Sequence, residues 1–81
     1  MSIIIYTKTG CPWCRGVLDL LNEKKIAYEE RNVSENKAYY DEMVRISGQT
    51  KAPTLDIDGE ILGDSDKDQV GEFLRKEGMI K

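Results

Sequence analysis

The chain has 81 residues, 40% apolar and 33% charged, with seven Gly and two Pro, which predicts one globular domain over 1–81 and excludes a multidomain enzyme. Its net charge is -3 and its Lys and Arg residues are scattered without runs, so no electrostatic footprint for nucleic acid or anionic lipid is present. Apolar runs such as Ile3-Ile4-Ile5-Tyr6 are too short to cross a bilayer or to form a signal-peptide core, and a cytoplasmic protein that works as a monomer is expected.

Ile3 to Tyr6 is a β-branched and aromatic run, as expected for a central strand buried on both faces. Thr7 to Gly10 is a loop. Cys14, Val17, Leu18 and Leu21 then follow helical spacing, which predicts an amphipathic helix ending near Lys25. Ile26 to Asn32 alternates weakly and is expected to be a second strand. Ser34 is the expected N-cap of a second helix bearing Tyr40, Met43, Val44 and Ser47, and Gly48 stands where a left-handed terminating residue is usual. Leu55 and Ile57 alternate with Asp56, and Asp58-Gly59 predicts a tight turn to Ile61 and Leu62. The last segment opens with a capping-box pattern at Ser65-Asp66-Lys67-Asp68, with Ser65 expected to begin the helix, and buries Val70, Phe73 and Leu74. The order β-α-β-α-β-β-α makes an α/β fold. A right-handed crossover pairs the first two strands in parallel and the hairpin adds antiparallel partners, giving a mixed four-stranded sheet flanked by three helices.

There is no His, which removes Ser-His and Cys-His catalysis and every His-ligated metal site. The reactive groups left are Cys11 and Cys14, in Gly10-Cys11-Pro12-Trp13-Cys14-Arg15, where the first strand passes into the first helix. That position sets the Cys11 sulfur beside unpaired backbone amides and the positive end of the helix dipole, both of which stabilise a thiolate, the nucleophile of disulfide exchange. Pro12 has the backbone angle of a first helical turn and lacks a donor that this turn does not need. Cys14, three residues on, can resolve a mixed disulfide. A structural disulfide closing so short a loop removes little chain entropy, and two cysteines are half the usual ligand set for zinc or an iron-sulfur cluster, so no metal site is expected.

Tyr6-Thr7-Lys8-Thr9-Gly10-Cys11-Pro12-Trp13-Cys14 strongly resembles the active-site segment of dithiol glutaredoxins, with Trp13 where that family most often has Tyr. Ala52-Pro53 resembles the family's Thr-Val-Pro with its cis proline, and Gly63-Asp64-Ser65-Asp66 resembles its Gly-Gly-Cys-Asp turn. The resemblance runs in order from Ile3 to about Phe73. It implies a thioredoxin-like fold in which Cys11 attacks glutathionylated proteins or protein disulfides, Cys14 resolves, and glutathione serves as co-substrate with no tightly bound cofactor. It further implies that Lys8 and Gln49 contact the glycine carboxylate of glutathione and that Ala52, next to Pro53, pairs its backbone with the tripeptide's cysteine. The resemblance also implies that Ser65 and Asp66 hold the γ-glutamyl end, and Trp13 is expected to offer an exposed aromatic platform to a partner.

Two positions depart from the family pattern. Lys51 replaces Thr and brings a cation that favours the Cys11 thiolate or a glutathione carboxylate. Asp64 replaces the turn's second Gly and adds a negative charge that opposes the γ-glutamyl carboxylate. Both departures favour an alternative, a glutaredoxin-like redoxin reduced by thioredoxin reductase, as in the small electron donors of ribonucleotide reductase, whereas Pro12 and Trp13 do not favour it. A dimer holding an iron-sulfur cluster through Cys11 and glutathione ranks below these, because Pro12 restricts the loop.

Overall fold

The branched and aromatic run near the start forms β1 (Ile3–Thr7), the strand around which the other elements pack. The computed structural model describes residues 2–80. After β1 come α1 (Pro12–Glu23), β2 (Glu29–Asn32), α2 (Lys37–Ser47), β3 (Thr54–Ile57), β4 (Glu60–Leu62) and α3 (Lys67–Lys76). The sheet order is β2-β1-β3-β4. β1 pairs in parallel with β2 and antiparallel with β3, which puts Tyr6 opposite Thr54, and β4 runs antiparallel to β3. The C-terminal end of β1, the start of β3 and the end of β4 therefore lie along one edge.

Alternation along β1 supplies two cores. Ile3 and Ile5, with Leu55 and Ile57 of β3, pack against Val17, Leu18 and Leu21 of α1 and Val70 and Leu74 of α3. Tyr6, with half-buried Ile4, turns to the other face and packs with Val33 and with Met43, Tyr39 and Ile46 of α2. Helices thus cover both faces, and charged Glu29, Glu30 and Arg31 lie on the edge strand β2, where charge discourages further strand pairing.

α1 begins at Pro12, in the first turn as expected, with the Cys11 sulfur as its cap. Three other starts differ from the sequence reading, each for a local reason. β2 begins at Glu29 rather than Ile26: Lys25 takes a left-handed conformation (φ 57°) and the Ile26 amide bonds back to Leu21 O at 2.9 Å, so Ile26 and Tyr28 reach the core from a loop. Asn36, not Ser34, caps α2, because the Asn32 side chain accepts from the amides of Ser34 and Glu35 and holds one extra turn. Asp66, not Ser65, caps α3, and the capping box is completed by Gln69. The expected hairpin is present, with Asp58 and Gly59 both at positive φ (51° and 92°).

Below the second core, the buried Tyr6 hydroxyl donates to Glu42, and Glu42 also pairs with Arg31, whose guanidinium lies over the Tyr39 ring. Burial, then the Glu42 acceptor, pushes Tyr6 up to about 12. The hydrogen bond from Tyr6, aided by Arg31, holds the Glu42 carboxyl below its ordinary value. A depressed carboxyl stabilises the fold above its unfolded pKa, and that contribution is lost as pH falls through the folded value; for Tyr6 the loss comes at the alkaline end, between about 10 and about 12. Glu42→Gln is expected to cost about 1 kcal/mol at neutral pH and to flatten the acid decline, so its urea midpoint falls less than that of the wild type between about pH 6 and about pH 3.

Candidate active site

The loop after β1 is fixed before it reaches the cysteines. Thr9 N–H donates to Ser34 Oγ at 3.1 Å, Asn32 Nδ2 donates to Thr9 Oγ1 at 3.3 Å, and Gly10 makes the turn at φ 73°. Cys11 follows as the N-cap of α1: its backbone is extended, its Sγ accepts from Cys14 N–H at 3.2 Å, and Pro12 occupies the first turn. Cys11 and Cys14 are joined as a disulfide with Cα atoms 5.2 Å apart. Exposure separates them. Cys14 is buried at 2% while Cys11 is partly open, so an incoming disulfide reaches Cys11 first.

Facing Cys11 is the loop into β3, where Ala52–Pro53 is cis and Ala52 O lies 3.8 Å from Cys11 Sγ. One side chain organises this loop. Gln49 Nε2 donates to Ser47 Oγ (2.9 Å) and Thr54 Oγ1 (2.8 Å), and its Oε1 accepts from Lys51 N–H at 2.6 Å. Fully buried Thr54 donates its hydroxyl to Lys51 O at 2.8 Å, and Lys8 Nζ reaches across to Thr50 O at 2.7 Å. A third loop closes the site between β4 and α3. Ser65 N–H donates to Pro53 O at 3.0 Å and its hydroxyl approaches Leu62 O at 3.3 Å. Asp66 Oδ1 accepts from Gln69 N–H at 2.9 Å, and Asp66 N–H donates to Gln69 Oε1 at 3.0 Å.

These loops enclose a cleft of about 550 Å³ over Cys11. Lys8, Trp13, Lys51 and Ala52 line it, as do Ser65 and Asp66. Gln49 and Pro53 do not: Pro53 is buried behind Ala52, and both ends of the Gln49 amide are engaged inside the loop. Trp13 is 65% exposed, the single large hydrophobic side chain so displayed among the described residues. Asp64 also lines the cleft, in a left-handed conformation at φ 50°. The sequence puts the charge of Asp64 at the expected γ-glutamyl end, in the cleft where the structure has it, but gives no sign of Thr54, whose role depends on bonds to residues on its own loop. An accessible sulfur capping a helix, a buried partner sulfur and an open cleft constitute a centre for thiol-disulfide exchange.

The glutaredoxin family model matches residues 3–62. The chain belongs to the glutaredoxin family. As a glutaredoxin it is a thiol-disulfide oxidoreductase with a thioredoxin-like fold. It is 35% identical to Glutaredoxin 3 of Escherichia coli over 65 residues, 80% of this chain and 78% of that one. It is 31% identical to a glutaredoxin-like 8.6 kDa protein from the rubredoxin operon of Clostridium pasteurianum over 74 residues, 91% of this chain and 99% of that one. Among solved structures, a thioredoxin-like protein superposes with a TM-score of 0.82 at 29% identity, covering 90% of this chain and all (100%) of that one. The solution structure of a glutaredoxin from Brucella melitensis gives 0.69 at 31% identity, with 96% and 82% covered.

Because Gln49 joins Ser47, Lys51 and Thr54, Gln49→Ala removes three hydrogen bonds that hold this loop together in this glutaredoxin. A loss of about 1–3 kcal/mol, read as a fall of several degrees in the thermal midpoint, is expected. An unaltered melting curve would exclude Gln49 as the loop's anchor.

Proposed function

We propose that this glutaredoxin is a glutathione-dependent reductase of protein disulfides and glutathione mixed disulfides, working in the cytoplasm as a monomer with glutathione as co-substrate and no resident cofactor. The observation that carries this reading is the cleft that opens on the Cys11 sulfur beside Lys8, Trp13, Lys51 and Ala52. Cys11, as thiolate, attacks the glutathione sulfur of a mixed disulfide. A bond forms between Cys11 and glutathione, and the protein thiolate leaves. A second glutathione thiolate then attacks the bound glutathione sulfur, releasing glutathione disulfide and restoring Cys11. With a protein disulfide, Cys11 attacks one sulfur and the other leaves as a thiolate; Cys14 then attacks Cys11 of this mixed disulfide, forming the Cys11–Cys14 disulfide and expelling the second protein thiolate, and two glutathione molecules reduce the pair with release of glutathione disulfide. With no His in the chain, a preformed thiolate carries the rate.

In this reading Lys8 and Lys51 attract the glycine carboxylate, the Ala52 backbone beside cis-Pro53 pairs with the tripeptide's cysteine, and Trp13 forms a wall against glutathione or the protein substrate. Ser65 and Asp66 stand at the γ-glutamyl end. Gln49 supports the glycine end from behind, by fixing the Lys51 amide.

A second reading, reduction of the disulfide by a thioredoxin reductase, is favoured by the β4–α3 turn, where the amides of Ser65 and Asp66 are already bonded within the protein. The two separate in Cys14→Ser assayed on a glutathionylated peptide with only glutathione and glutathione reductase as electron supply. Turnover is expected to persist in Cys14→Ser and to vanish in Cys11→Ser. A Cys14→Ser variant without turnover, alongside wild-type disulfide that thioredoxin reductase reduces, would establish the second reading instead.

A further inference from the structure

The two ends of the cleft differ in charge, and their order follows from the sheet. Lys8 stands over the end of β1 and Lys51 over the start of β3, whereas Asp64 and Asp66 stand beyond the end of β4. A carboxylate arriving at the β4 end needs donors, and the turn has spent them. Ser65 N–H is bonded to Pro53 O, the Ser65 hydroxyl approaches Leu62 O, Asp66 N–H is held by Gln69 Oε1, and the Asp64 amide points to Thr54 Oγ1 at 3.5 Å. Asp64 is exposed, and no ion pair among the described residues involves it. It also holds a left-handed conformation (φ 50°), where Gly is the unstrained choice and Asp and Asn are the side chains that tolerate the position.

We infer that Asp64 is a specificity-determining residue: with Asp66 it makes the β4 end of the cleft select thiol substituents that carry a cation, and no carboxylate, at that end. This rests on the reading that Cys11 exchanges with small-molecule mixed disulfides in this cleft. Glutathione, whose γ-glutamyl group presents an ammonium and a carboxylate together, is then held chiefly through its cysteine and glycine half. At that end a substituent with an ammonium alone fits better than one with a carboxylate alone.

The test uses the reduced Cys14→Ser protein in single turnover against one cysteine peptide carrying glutathione, 2-aminoethanethiol or 3-mercaptopropionate as its mixed disulfide. In each case the Cys11 thiolate attacks the small-molecule sulfur, the new Cys11 disulfide forms, the old sulfur–sulfur bond breaks, and the peptide leaves as a thiolate that takes its proton from water. Mass spectrometry identifies the adduct, and each rate is divided by that of a free small thiol with the same disulfide. The aminoethyl rate is expected to exceed the carboxyethyl rate, and the glutathionyl adduct, which keeps its contacts at the Lys8 and Lys51 end, serves as the reference. Asp64→Asn, which retains a side chain suited to the left-handed turn, is expected to reduce the aminoethyl-to-carboxyethyl ratio by about fivefold at low ionic strength, and added salt should shrink the wild-type preference. Gln69→Ala, which releases the Asp66 amide, is expected to raise the glutathionyl and carboxyethyl rates relative to the aminoethyl rate. A ratio that neither Asp64→Asn nor salt moves, with all three adducts still forming, overturns the assignment to Asp64 and leaves the proposed exchange at Cys11 standing. Failure to form any of the three adducts overturns both.

Discussion

The first turn of α1 exposes backbone N–H groups that no carbonyl of the helix can satisfy, and in this chain the acceptor at that turn is the sulfur of Cys11. The rest of the molecule serves that contact. β1 is central and buried, so its C-terminal end is a fixed point, and Thr9 is tied to Asn32 and Ser34 before Gly10 turns the chain into the helix. Pro12 keeps the first turn helical without needing an acceptor, and Cys14 is buried one turn below. A sulfur that caps a helix is better accommodated as an anion than as a thiol, and an anion is what disulfide exchange requires.

The wall opposite Cys11 is held just as firmly, by side chains rather than by regular structure. Gln49 and Thr54 occupy the polar atoms of the Ser47–Lys51 turn, Lys8 fastens that turn to the cysteine loop, and Ser65 fastens the β4–α3 turn to Pro53. Three loops from one edge of the sheet are thereby joined around the cleft. The nucleophile is offered substrates from a prearranged slot, with the orientation already set.

What the sequence revealed, and what it hid, divides by the range of the interactions. The β1 run, the Cys11–Cys14 spacing and the Asp58-Gly59 turn depend on neighbours in the chain, and each is found where those neighbours place it. The caps of α2 and α3 are Asn36 and Asp66 rather than the expected Ser34 and Ser65, whose hydroxyls have other uses: Ser34 accepts from Thr9, and Ser65 approaches Leu62 O. Ile26 looks like strand because it packs on the core, yet it does so from a loop that a left-handed Lys25 redirects. Most of the residues selected on family resemblance line a single cleft, while Gln49 stands behind it, since its three bonds link positions that only the folded loop brings together. The engaged donors at Ser65 and Asp66 were equally invisible, because a capping box made by Gln69 shows its consequence for the cleft only once α3 is in place.

The dependence on a sulfur-capped helix is open to one direct measurement, the ultraviolet thiolate titration of Cys11 in the reduced Cys14→Ser protein. A midpoint well below about 8.5, the value of a free thiol, is predicted, with unfolding in urea returning it to that value. A folded-state midpoint at or above the free-thiol value would contradict the claim that the start of α1 activates Cys11.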